Sequence, residues 1–237
     1  KGGSVSITAR KLKMEGGSGE GLSSIYSLTE YGSGDAGDVS VSVQGFLELT
    51  NGAEISSNTL SDGNAGNVMV TAREIKIDGV GSSKDTGISS SAVYGSGNAG
   101  TVQVNARDRL DLINNAIISN DTFTPGEGGP MNVTVEGLMM LTAGAEISSD
   151  TFSEGKPGNM TITAGNLLID GGKDAKATGI SSKSDDYSLA EAGAVNVMVE
   201  GWLKMLNGAG ISSDTYSESN AGKVTVSARE ITIDEGG

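Results

Sequence analysis

The chain has 237 residues, 30 acidic against 16 basic side chains, a net charge of −14, and neither cysteine nor histidine. That balance disfavours nucleic acid and anionic membrane surfaces as partners, since both call for clustered Lys and Arg. It also removes disulfides, thiol chemistry, serine–histidine catalysis and histidine-ligated metals. The 37 glycines against 3 prolines, with few aromatics and much Val, Ile, Ser and Thr, predict many short strands joined by tight turns, and without a Gly-X-Y period collagen is excluded. No apolar run approaches the roughly 20 residues of a membrane span, and no signal peptide opens the sequence.

Taken in chain order, one unit recurs. It begins at Gly3, Gly37, Gly66, Gly100, Gly129, Gly158, Gly193 and Gly222, a spacing of 29 to 35 residues, which is the range of solenoids and stacked arrays. Gly63-Asn64-Ala65-Gly66 is the clearest copy of its opening turn. Because the turn recurs in most units, Gly66, Gly100, Gly193 and Gly222 are assigned as structural hinges between coils and not as a ligand-cradling loop.

Each unit then carries three strand signals. The first alternates apolar and polar residues, as in Val39, Val41 and Val43 or Val102, Val104 and Ala106, so one face points in and the other out. The second is a short run such as Phe46-Leu47-Glu48-Leu49 or Trp202-Leu203-Lys204-Met205. The third is Ile-Ser-Ser, at Ile55-Ser56-Ser57, Ile88-Ser89-Ser90, Ile147-Ser148-Ser149, Ile180-Ser181-Ser182 and Ile211-Ser212-Ser213, with Leu22-Ser23-Ser24 and Ile118-Ser119-Asn120 as variants. If the Ile points inward, so does the second polar residue. That predicts an internal polar ladder of Ser24, Ser57, Ser90, Asn120, Ser149, Ser182 and Ser213, whose side chains hydrogen-bond up and down the stack.

Units of 29 residues start at Gly37, Gly100, Gly129 and Gly193. Longer ones, at Gly3, Gly66 and Gly158, insert residues such as Asp78 to Asp85 after the second strand, which places their loops on one side of the body. Gly45, Gly137 and Gly201 precede the second strand, where a corner with positive φ is expected. Arg73, Arg107 and Arg229, each after an alanine, are expected on the outer surface beside acidic neighbours. A single unit buries too little apolar surface to offset the entropy of ordering it, so the units must stack. The expected fold is all-β: a right-handed parallel β-helix with three strands per coil in three sheets, seven full coils and a partial eighth. It runs over 1–237 as one continuous body, a rod of about 35 Å at about 4.8 Å per coil. The hand follows the crossover rule. A hexapeptide helix lacks its period here, and propeller blades need four antiparallel strands. Both ends fall inside a repeat with no cap, so a segment of a longer protein is expected.

Gly63 to Val70, the following Ala72-Arg73 with Ile75, Ile77 and Asp78, and Gly-Ala-Glu-Ile-Ser-Ser at Gly52 to Ser57 and Gly144 to Ser149 resemble the filamentous-haemagglutinin-like exoproteins of two-partner secretion. The resemblance covers the whole chain. It implies a right-handed parallel β-helix rod, export through an outer-membrane partner pore, extracellular display, and adhesion or matrix work. The secretion domain that opens such proteins is not recognisable in this sequence.

Candidate chemistry lies where coils differ. Asp185-Asp186 before Tyr187, and Asp108-Arg109 with Asp111, are coil-specific acidic clusters, of the type some β-helix polysaccharide lyases use with calcium and a basic residue. No calcium-loop motif accompanies them, and the plainer reading is a solvated acidic loop. Phe123, Phe152 and Tyr216, each after Thr and with Leu60 in register, predict an aromatic ladder that packs loops or binds carbohydrate. On the outward side of the second strand most coils carry charge, whereas Leu138, Met140, Leu168 and Trp202 predict a contiguous apolar interaction patch. No catalytic residue, metal or cofactor is assigned. The reading is a non-enzymatic secreted structural rod of a bacterial surface adhesin or extracellular fibre. Its partners are copies of itself or neighbouring fibre segments, and host or matrix glycan or protein. A β-helix polysaccharide-degrading enzyme and a glycan-binding module are the alternatives.

Overall fold

The structure is a computed structural model that describes residues 1–17, 23–81, 84–172, 178–185 and 190–234. Among these residues every regular element is a strand, and every strand pairing is parallel to its counterpart in the next coil. The chain is a β-solenoid of seven turns and part of an eighth, matching a parallel β-helix.

The register stacks like on like. Val68, Val102, Met131, Met160 and Val195 form one inward column. Ile75, Leu110, Met139, Leu167 and Leu203 form a second, and Ile55, Ile88, Ile118, Ile147, Ile180 and Ile211 a third. In the Gly100 coil the inward set is Val102, Val104, Ala106, Leu110, Leu112, Ala116 and Ile118, all buried. Alternation thus sorts apolar side chains into a core of stacked columns, each shielded by the coils on either side.

Two sheets are present where three were expected. In the four central coils the first and second strands run on as single strands, Val68–Asp78, Val102–Ile113, Met131–Thr142 and Met160–Asp170. The corner between them is one or two residues, absorbed as a register shift at Ala72/Glu74 and Val135/Leu138. So shallow a bend does not interrupt the ladder.

Positive φ also falls elsewhere than expected. Gly45, Gly137 and Gly201 are not among the positive-φ residues, which in the short coils are Asn51-Gly52, Asn114-Asn115, Ala143-Gly144 and Asn207-Gly208, at the corner between second and third strands. Two consecutive left-handed residues reverse the chain tightly there. Gly137 and Gly201 are required for a steric reason instead, because a Cβ would strike the Asp108 carbonyl and the Asn166 side chain of the preceding coil. Long coils leave the same corner at Gly16, Gly79 and Gly171, whose N–H groups bond to Thr50, Ile113 and Leu206. Thr86 and Thr178, where the long coils return, accept the N–H of Gly52 and Gly144 in the short coil before. Residues 18–22, 82–83 and 173–177 of these insertions, including Leu22, lie outside the described residues.

The polar column ties the coils together through the turn glycines. Ser90 Oγ accepts from Gly100 N–H at 2.8 Å and donates to Gly66 C=O at 2.9 Å. Ser57 bridges Gly66 N–H and Gly37 C=O, and Ser213 bridges Gly222 N–H and Gly193 C=O, in the same way. Ser149 accepts from Gly158, while Ser182 accepts from Gly193 and donates to Ser149 C=O. The hydroxyls therefore bond to backbone and not to one another. Ser27, not Ser24, fills this place in the first coil: Ile25 pairs with Ile55 and Ser27 with Ser57, and Ser27 accepts from Gly37 N–H. Asn120 also departs from the pattern, donating forward to Gly129 C=O with its buried Oδ1 unpartnered.

The glycines must be glycines because the coils touch there. A Cβ on Gly66, Gly100, Gly129 or Gly193 would meet the carbonyl of the equivalent glycine one coil earlier. On the outside of the same turn, Asx side chains repeat the inter-coil bonding. Asp35 Oδ1 accepts from Asn64 N–H, Asn64 from Asn98 and Asn98 from Glu127. A parallel row runs from Asp38 to Asn67 and from Asn67 to Thr101.

Ser90→Ala strands the Gly66 carbonyl and the Gly100 N–H and is expected to cost about 2–4 kcal/mol. Ser40→Ala, on the exposed face, should stay within about 0.5 kcal/mol. Asn120→Ser should stabilise by about 1 kcal/mol by removing the unpaired amide oxygen. Denaturant midpoints of the three variants check the set; equal effects for Ser90 and Ser40 would contradict the bridging role.

Candidate functional site

The outward side of the second strand carries three columns. The first reads Phe46, Glu74, Arg109, Leu138, Asn166, Trp202 and Glu230. The second reads Lys13, Glu48, Lys76, Asp111, Met140, Leu168, Lys204 and Thr232. The third includes Thr50, Asp78, Ile113, Thr142, Asp170 and Leu206. In the N-terminal half the charges alternate from coil to coil, and Lys13, Glu48, Lys76 and Asp78 pair at 3.2–3.8 Å. Exposed pairs of this kind contribute only about 0–1 kcal/mol each.

Leu138, Met140, Leu168 and Trp202 point outward but are half-buried, not fully exposed. Leu138, Met140 and Leu168 adjoin, whereas Asn166 separates Leu138 from Trp202 in their column and accepts the Trp202 N–H at 3.0 Å. Cations flank the island. Arg109 chelates Asp111 at 2.7 and 2.8 Å and reaches Met140 Sδ at 3.0 Å, and the Lys204 ammonium lies 5.1 Å from the Trp202 ring.

Phe123 and Phe152 form a parallel stack with centroids 4.6 Å apart and rings 7° from coplanar, and they are 49% and 41% exposed. Tyr216 does not extend it. Asp185, which takes the intervening place because its N–H bonds to Thr151 C=O and that of Tyr216 to Ser184, interrupts the ladder. The expected three-member ladder is a pair. Leu60 is in register two coils earlier, with Val93 between.

The acidic clusters resolve into separate roles. Asp108 pairs with Arg73 and lies 3.8 Å from Arg107, on the corner between first and second strands, so both arginines sit outward beside an acid. Asp111 is held by Arg109 on the flat face. Asp186 and Tyr187 lie outside the described residues.

A cluster the sequence reading missed lies on the outer face of the third strand. Asn58, Ser91, Asp121, Asp150, Lys183 and Asp214 form one column. Asn58 accepts from Ser91 N–H, Asp121 from Asp150 N–H and Asp150 from Lys183 N–H, at 2.8–3.0 Å. Lys183 Nζ reaches Glu146 at 2.9 Å and Asp150 at 3.6 Å. The column beside it is Ser56, Ser89, Ser119, Ser148 and Ser181, outward yet buried. Glu54 and Glu146 lean across Gly87 and Gly179 of the next coil to accept from Ser89 and Ser181 at 2.9 and 2.8 Å. Glycine at those places is dictated by the coil that follows, where a Cβ would strike the carbonyls of Ile117 and Gly210. Shallow recesses open at both ends of this face, one beside Tyr26 and Glu54, the other beside Glu146, Lys183 and Tyr216.

Asp150 is buried, and Asp121 keeps part of its surface in solvent while turning its carboxyl toward the Asp150 backbone. Burial pushes the Asp121 carboxyl up to about 6. Burial, then the neighbouring Asp121 charge, push Asp150 to about 7. Two carboxyls near neutrality beside a lysine can hold or pass a proton. The readable signal was position: each acid directly follows the polar-ladder residue of its coil, Asn120 or Ser149.

No protein-family model, curated protein or solved structure matches the chain.

Both aspartate pKa values lie above the roughly 3.9 of an unfolded aspartate. The stability the pair contributes is therefore complete below about pH 4 and lost as pH rises through about 6 and 7. The thermal midpoint should fall between about pH 5 and about pH 8. Asp150→Asn keeps an acceptor for the Lys183 N–H without the charge, and should recover about 1–3 kcal/mol at the upper pH. A midpoint rising over that interval, or an Asn variant tracking the parent, would contradict the assignment.

Proposed function

We propose that this chain is a non-enzymatic structural rod of a secreted bacterial surface adhesin or extracellular fibre, in which the coils hold loops and an apolar lateral face for adhesion or filament packing. The observation that carries the reading is where its polar groups go. Serine hydroxyls, Asx side chains and most paired charges bond from one coil to the next, which is the work of a stacked scaffold. The three insertions leave from one corner. Export through an outer-membrane pore and extracellular display come from the resemblance noted above, and a host or matrix glycan or protein is the proposed ligand of the loops.

A second reading, a polysaccharide-degrading β-helix enzyme, draws on Asp121, Asp150, Glu146 and Lys183, whose raised carboxyl pKa values beside a lysine suit acid–base chemistry. Two measurements separate the readings. On intact producing cells, the rod reading expects antibody to reach the chain from outside. It also expects no cleavage of acidic or neutral polysaccharides with or without calcium. Turnover abolished by Asp150→Asn would establish the enzyme, and a chain wholly inaccessible from outside would overturn surface display.

A further inference from the structure

We infer that two copies of this chain pair face to face and antiparallel through the outer face of their second strands, about a two-fold axis between Met140 and Leu168. This gives the lateral face of the proposed rod its partner, and it rests on that reading only for the use made of the pairing.

A two-fold axis lying in the contact plane, perpendicular to the rods and midway between the Gly129 and Gly158 coils, lays each column on itself in reverse order. In the middle column Met140 then meets Leu168 of the second copy, and Asp111 meets its Lys204. In the first column Arg109 meets Trp202, a cation over an aromatic face, and Leu138 meets Asn166. In the third, Ile113 meets Leu206 and Thr142 meets Asp170. Over these four coils Asp111 faces Lys204, and Met140 with Leu168 and Ile113 with Leu206 are apolar pairs, while Leu138 and Asp170 meet the uncharged Asn166 and Thr142; matching of this kind is what an isologous interface requires.

The alternatives match less well. A two-fold axis parallel to the rod through the middle column sets each coil against itself, bringing Asp111 against Asp111 and Lys204 against Lys204. The antiparallel match is bounded too, because the next coil out sets Glu74 against Glu230. Five residues of strand by four coils cover about 17 by 19 Å, roughly 300 Å² per partner. That is well under the about 800 Å² of a stable complex. The pairing is therefore weak, with a dissociation constant on the order of 0.1 mM or above, and gains strength only where several such faces are tethered together.

Cysteine cross-linking reads the geometry directly, since the chain has no cysteine of its own. Mixed under mild oxidation, Met140→Cys and Leu168→Cys chains should give mainly the mixed disulfide dimer. Like-with-like dimers in excess, or no cross-link, would overturn the antiparallel pairing. Sedimentation across concentrations bracketing the expected constant should show reversible dimer, weakened about tenfold by Asp111→Lys or by Lys204→Asp and restored in the double variant. Monomer throughout, or no restoration by the double variant, would also overturn it. Both positions face outward, so circular dichroism separates misfolding from lost pairing. Monomeric behaviour would leave surface exposure and absence of turnover untouched, so failure here and failure of the rod reading are distinguishable.

Discussion

A single hydroxyl spanning two coils is the contact on which the rest depends. The turn must bring successive backbones so close that only glycine fits, and that closeness buries an N–H and a C=O which no strand partner reaches. The serine two residues after the third-strand isoleucine supplies one donor and one acceptor at that spot. An apolar residue there would leave two backbone groups unpaired. A larger polar residue overshoots, as Asn120 does by reaching the following coil and leaving its own oxygen unpaired. Serine and glycine at these two places are one device.

The outer faces repeat the principle with different chemistry. Around the turn, Asp and Asn carbonyl oxygens serve the backbone of the next coil. On the third strand, Asp121 and Asp150 do so with carboxylates, and burial raises both pKa values, the Asp121 charge adding to the rise at Asp150. The same bond made with Asn58 carries no such penalty. On the second strand the columns hold long side chains whose partners are each other, which leaves that face free to differ from coil to coil.

Much of the fold is legible in the sequence because each coil repeats the same inward pattern. Val39, Val41 and Val43 need only the period-two rule to be placed, and Ile-Ser-Ser marks the third strand in most coils. The misplacements share a cause. Leu22-Ser23-Ser24 imitates that motif, while Ile25-Tyr26-Ser27, with a tyrosine outward, is what pairs with Ile55. Gly137 and Gly201 look like turn glycines, and only the coil beneath reveals that they make room for Asp108 and Asn166. Asp121 and Asp150 carry no mark of burial in the sequence, because the groups that bury them lie a full coil away. Tyr216 and Phe152 share a motif, and Asp185 between them follows a residue that does not resemble it. In each case the deciding neighbour is remote in sequence and adjacent in space.

The corner between second and third strands has a wider consequence. Inside a strand an added residue would shift an inward column onto the outer face. At this corner the short coils need only two left-handed residues, and the long coils leave from Gly16, Gly79 and Gly171 with the stacking of the coils around them intact. Loop length there is decoupled from alignment. Evolution can therefore exchange, lengthen or erase what the rod displays, one storey at a time, with no revision of the storeys above and below.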